Sequence, residues 1–118
     1  MFSNKALERV KVIEKKIAFV EAIVHEKGSI ASALEDEQNS RASILMHLTS
    51  IAEQFDKLLH NGELEILSHF AKEDIKGSYE LRNFIAHDYE GVDLYIVEDV
   101  ISQRFSIIKE SVEKVLSL

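Results

Sequence analysis

From Leu81 to Tyr89 the chain reads Leu-Arg-Asn-Phe-Ile-Ala-His-Asp-Tyr, and four of these side chains can handle a phosphate. Arg82 offers a planar fork of donors that matches phosphate oxygens. His87 can move protons near neutral pH. Asn83 can orient either of them, and Tyr89 adds a phenol. On a helix at about 100° per residue, with Arg82 set at zero, Leu81, Phe84 and Ile85 fall between about 200° and 300°. That apolar arc is expected to face a core. Ala86, Asn83 and His87 fall at about 40°, 100° and 140°, and Tyr89 returns to about 340°. Arg82, Asn83, His87 and Tyr89 are therefore expected on the face turned away from the core, with the small Ala86 leaving a shallow dip among them. Arg82 and His87 lie about 140° apart, too far to converge on one helix. Two copies of this helix facing each other across a symmetric dimer would bring both sets into one cleft.

The elements that position this segment follow from apolar spacing. Ala6, Val10, Ile13, Ile17, Val20 and Val24 form one stripe on a first helix, with Lys11, Glu14, Lys15 and Lys16 between them as a solvated face. Gly28 is placed to end it. Residues 30–34 suit a short helical turn, and Glu35-Asp36-Glu37 reads as a solvated loop. A second helix starts from Asn39 or Ser40 as N-cap, carries Ile44, Leu48, Ile51, Phe55 and Leu58, and stops at Asn61-Gly62. Residues 63–72 suit a short helix packed over the others. The third helix spans about 73–89, with Gly77 as a weak point, and Gly91 breaks it. The fourth runs from about Leu94 onward through Val97, Ile101, Phe105, Ile108, Val112 and Val115. The expected fold is all-α: a four- to five-helix up-and-down bundle forming one domain over residues 1–118. Met46 and the phenylalanines are expected in its core, and Glu53 and Asp56 as surface charges, with an approach to the site across the bundle as the alternative.

Composition agrees and excludes several functions. The 118 residues suit one compact domain, and 46% hydrophobic content is enough for a core. The absence of proline and the presence of only four glycines favour long helices. With no cysteine there is no disulfide, thiolate metal site or cysteine nucleophile. The five histidines lack the spacing of a zinc site, and no calcium loop, glycine-rich phosphate loop or nucleophile elbow is present. No metal or cofactor is expected. The first ten residues carry Lys5, Glu8 and Arg9 instead of a signal peptide's apolar stretch, and no run approaches the ~20 apolar residues of a membrane span. A cytoplasmic location is expected. The net charge of −7 disfavours general nucleic-acid binding. It is uneven, however: residues 1–27 hold six Lys/Arg and four Glu, and the remainder holds eight Lys/Arg and seventeen Asp/Glu. RNA contacts must be local, and the negative remainder can steer a basic protein partner.

The pattern Arg82-Asn83-x-x-x-His87-x-Tyr89, followed by Gly91-Val92-Asp93 and a final helix, resembles the HEPN signature of HepT-like proteins. The opening of the second helix, Arg41-Ala42-Ser43, agrees. The resemblance covers essentially the whole chain, but only the 82–93 stretch is specific. Two positions depart from the family pattern: Ile75 stands where a Trp is common, and Glu80 where a small residue is common. The resemblance implies a metal-independent ribonuclease toxin acting as a homodimer, with attack of an RNA 2′-hydroxyl on the adjacent phosphate. Arg82 and His87 would be catalytic and Asn83 would position Arg82 or the phosphate. It further implies a partner, a minimal nucleotidyltransferase antitoxin of the MNT type, which transfers AMP to Tyr89 and so blocks the site by charge and volume. Two other readings stand beside it: a non-catalytic HEPN subunit that binds such a nucleotidyltransferase or its substrate, and a plain helical interaction module.

Overall fold

The structure, a computed structural model, describes residues 2–118. Helix α1 (Asn4–Lys27) starts where the Ser3 hydroxyl accepts the Ala6 N–H at 3.1 Å, which satisfies one of the orphan donors of the first turn. It ends where Gly28 turns left-handed at φ 92° and donates its N–H to the Val24 carbonyl, a conformation that a Cβ would strain. Ala6, Val10, Ile13, Ile17 and Val20 are buried along one stripe. Each of the larger ones contributes about 1.5–3 kcal/mol of burial energy.

A short helix α2 (Ile30–Glu35) leads into a wide π turn at Glu37–Arg41 and then α3 (Ala42–His60). The second long helix therefore has no N-cap at Asn39 or Ser40. Asp36 caps the π turn, accepting the Asn39 N–H at 3.3 Å, and pairs with Lys27 at 2.9 Å. The acidic run is thus part cap and part helix instead of a free loop. The physical reason lies in α2. Ser40 Oγ donates to the Ala33 carbonyl and Arg41 Nε to the Leu34 carbonyl, both at 2.6 Å, so these side chains satisfy carbonyls that α2 leaves open.

Ile44, Leu45, Leu48, Ile51, Phe55 and Leu58 bury the inner face of α3. Asn61-Gly62 stops it, and α4 (Leu64–Leu67) folds Ile66 and Leu67 into the core. Phe70 meets Phe55 edge-on at 5.1 Å. Helix α5 (Lys72–His87) follows, then a 3-10 turn (Tyr89–Gly91), then α6 (Leu94–Asp99), a π turn (Val100–Arg104) and α7 (Phe105–Leu116). Val97, Ile101 and Phe105 advance by two four-residue steps, which drift about 80° on a regular helix; the wider π turn lies within that stretch and absorbs the drift. The fold is all-α, and among the described residues there is no strand. Among the described residues no helix is long and apolar enough to cross a membrane.

Helix α3 packs against both α1 and α5, and α1 against α7. Helix α5 meets the α6–α7 side only loosely. Two open cavities, of about 180 and 220 Å³, lie between them and share Gly77, Leu81 and Val100 in their walls. Among the phenylalanines, Phe55, Phe70 and Phe105 are core residues, but Phe19 and Phe84 are exposed, as is Met46. The expectation that Met46 and all the phenylalanines are interior fails because these three stand off the stripes that α1, α3 and α5 turn inward.

Candidate functional site

Helix α5 is shallowly seated. Asp74 is its only fully buried residue, and Ile75, Tyr79, Leu81 and Ile85 are partly buried. With Arg82 at zero, Asp74, Leu81 and Ile85 sit at about 260–300°, and Ile75 and Tyr79 at about 20° and 60°. The inward arc therefore centres near 330° and includes Arg82. This overturns the outward placement of Arg82 and the inward placement of Phe84. An arc drawn from Leu81, Phe84 and Ile85 alone omits the two residues upstream, Ile75 and Tyr79, that pack against the core. Phe84, at about 200°, is 49% exposed.

Arg82 reaches toward α3. Its Nη1 lies 3.4 Å from Glu53 Oε1 and 3.6 Å from Asp56 Oδ2. Its guanidinium carbon stands 5.3 Å from the centre of the Tyr79 ring, one turn earlier on the same helix. Glu53 and Asp56 are thus site neighbours and not simply surface charges. Burial pushes the Tyr79 hydroxyl above its ordinary pKa, with Asp56 adding to the rise and Arg82 opposing it. That hydroxyl is buried and has no hydrogen-bond partner among the described residues.

Asn83 and His87 emerge together on the outer side. With Glu80, Phe84 and Asp88 they line a shallow, open depression; its floor is not Ala86, which is itself exposed. Glu80 is 3.9 Å from Lys76, so its charge is partly shared. The helix stops at His87, earlier than expected, because Asp88 leaves helical geometry at φ −150°, ψ 69°. The Asp88 carboxylate then caps the 3-10 turn by accepting the Gly91 N–H at 3.2 Å. A Cβ on Gly91 would collide with that carboxylate. Tyr89 therefore sits in this turn and not in line with Arg82 on the helix, and it is 38% exposed.

Within one chain, then, Asn83 and His87 share a depression, Tyr89 lies in the turn that follows the helix, and Arg82 faces the other way. The sequence carries a signal for the missed neighbour, since Tyr79 precedes Arg82 by one turn, and Glu53 and Asp56 take the approach across the bundle that their i,i+3 spacing on one helix face permits. Among the described residues no cluster of three or more His, Asp or Glu side chains is arranged to hold a metal ion.

A family profile described as "Ribonuclease HepT-like" matches residues 10–115, from the first third of α1 nearly to the end of α7. No curated protein and no solved structure matches the chain.

Proposed function

We propose, from the premise that this chain belongs to the HepT-like ribonuclease family, that it is a metal-independent endoribonuclease toxin whose whole length forms one HEPN-like domain and whose site is completed by a second copy. The observation that carries this reading is the depression where Asn83 and His87 meet the half-exposed Phe84. An apolar ring beside a proton-transfer group on an open surface suits a cleft closed by another subunit. Phe84 continues into the apolar groove lined by Leu81, Val92, Ile96 and Val100, and Ile96 is itself 53% exposed.

In such a cleft His87 takes the proton from an RNA 2′-hydroxyl or gives one to the leaving 5′-oxygen. The O2′–P bond forms and the P–O5′ bond breaks, which leaves a cyclic phosphate and a free 5′-hydroxyl. Arg82, once it turns from Glu53 and Asp56, stabilises the charge on the transferring phosphate, and Asn83 holds the phosphate in place. The partner is a minimal nucleotidyltransferase antitoxin of the MNT type. It transfers AMP from a nucleoside triphosphate to the Tyr89 hydroxyl with loss of pyrophosphate, and the added anion excludes RNA.

One observation favours a second reading, a non-catalytic HEPN subunit that binds a nucleotidyltransferase or its substrate: Arg82 is already engaged by Glu53 and Asp56. The deciding experiment is RNA cleavage in EDTA by wild type and His87→Ala, after intact mass confirms an unmodified Tyr89. The first reading expects wild type to cut and the variant to lose about 10²–10⁴-fold. If unmodified, dimeric wild type leaves a broad set of RNAs intact, the second reading replaces it.

A further inference from the structure

We propose that the face shared by α1 and α3 is a docking track for single-stranded RNA that feeds the Arg82 end of the site; the proposal rests on the ribonuclease reading above. Phe19 of α1 is 42% exposed. Lys16 Nζ lies 5.6 Å and Lys15 Nζ 6.0 Å from the centre of its ring. The His47 ring of α3 supports it from 5.3 Å, tilted by 51°. An exposed aromatic ring flanked by two ammonium groups is the minimal unit that binds a single strand, with a base on the ring and phosphates on the cations.

The same face continues toward the start of α1 and the end of α3. There Lys5, Arg9 and Lys57 line an open hollow with His60 and Asn61. Its two carboxylates, Glu53 and Asp56, are the pair that faces Arg82 from the other side, so they stand between these cations and Arg82 and mark where the track meets the site. Arg9 Nε is buried there without a hydrogen-bond partner among the described residues. From Lys5 to Phe19 the helix rises about 21 Å, enough for a few nucleotides. This placement gives a physical role to the uneven charge of the chain. Four of the six cations of residues 1–27, Lys5, Arg9, Lys15 and Lys16, lie on this face, where an anionic strand can follow them, while the acidic excess belongs to the rest of the sequence.

The test measures binding of a short fluorescent oligouridine by anisotropy across a salt series, with His87→Ala as parent so that the strand stays intact. Lys15→Glu with Lys16→Glu is expected to weaken binding at least tenfold and to reduce the salt slope by about 1.4, the signature of two lost single-strand phosphate contacts. Phe19→Ala is expected to weaken single-strand binding by about tenfold and to leave binding of the same strand in a duplex unchanged, because only unpaired bases stack. Should the charge reversal unfold the chain by circular dichroism, Phe19→Ala at its half-exposed position decides alone. If both variants bind like the parent while wild type still cuts RNA, the track is wrong and the ribonuclease reading survives. Variants that keep RNA binding but change the sedimentation of the protein would make this face a protein interface and overturn the track. If wild type neither binds nor cuts RNA, both proposals fall.

Discussion

The Arg82 guanidinium faces the Glu53 carboxylate across α5 and α3, Nη1 to Oε1 at 3.4 Å, although 29 residues separate them in the chain. Asp56 stands 3.6 Å from the same nitrogen. In the proposed reaction an RNA phosphate must therefore compete with two carboxylates for one guanidinium. The pair is partly open to water, so it contributes only about 0–1 kcal/mol to stability. Glu53→Gln with Asp56→Asn is expected to change unfolding free energy by no more than about 1 kcal/mol. Freed of that competition, oligouridine binding tightens about 3- to 30-fold, the scale of a charge-assisted hydrogen bond. Arg82→Ala is expected to lower cleavage by about 10²–10³-fold with a similarly small stability change. Denaturant titration, anisotropy and single-turnover cleavage read the three effects separately. A large stability loss in Arg82→Ala would mean that the residue is chiefly structural.

Phe84 tests the second copy. Its ring is half-exposed at the rim of the groove between α5 and α6, so it adds little to the fold of one chain. Phe84→Arg is expected to leave the unfolding free energy within about 0.5 kcal/mol. It is expected to shift sedimentation from dimer to monomer and to reduce cleavage in parallel. Full cleavage by a monomeric variant would show that one chain holds a complete site.

Beneath the site, Asp74 and Arg104 tie α5 to the π turn. Arg104 Nε lies 2.7 Å from Asp74 Oδ1, and Nη2 lies 2.9 Å from Oδ2; the Asp74 side chain is 4% exposed. The hydrogen bond that Arg104 donates to Asp74 holds the Arg104 pKa above its ordinary value, against the effect of burial. Arg104→Met leaves the Asp74 carboxylate without its partner and is expected to lower the unfolding free energy. Adding Asp74→Asn is expected to recover at least half of that loss, because no uncompensated charge remains. A double variant as unstable as the single one would point to lost packing in place of stranded charge.

His47 gives the fold a pH dependence with a defined sign. Burial, and then the Lys16 charge, push its imidazole below the ordinary value near 6.5. The unfolded chain therefore takes up the proton first as pH falls, and stability decreases below about pH 6.5 until the folded form also protonates. The slope from this one group cannot exceed about 1.4 kcal/mol per pH unit. His47→Gln is expected to flatten the dependence of unfolding free energy on pH in that window while leaving the region above pH 7 unchanged. An identical slope in the variant would assign the effect to other groups.

Local spacing determined much of this protein. The α1 stripe from Ala6 to Val20, the α3 stripe from Ile44 to Leu58 and the C-terminal stripe from Val97 to Val115 are buried where periodicity placed them. The stop at Gly28 follows from one residue's tolerance of positive φ. Asn83 and His87 share a face because they are one helical turn apart, and no tertiary contact is needed for that. Tertiary structure decided how α5 rotates about its own axis. Ile75 and Tyr79 pack against the core, and with them inward Arg82 falls toward Glu53 and Asp56 of α3 while Phe84 is left half-exposed. A helix carries the same apolar count whichever way it is rolled, and only its neighbour fixes the roll. The π turn before α3 has the same origin: Ser40 and Arg41 satisfy the open carbonyls of Ala33 and Leu34, and those bonds depend on where α2 lies, which no local spacing encodes.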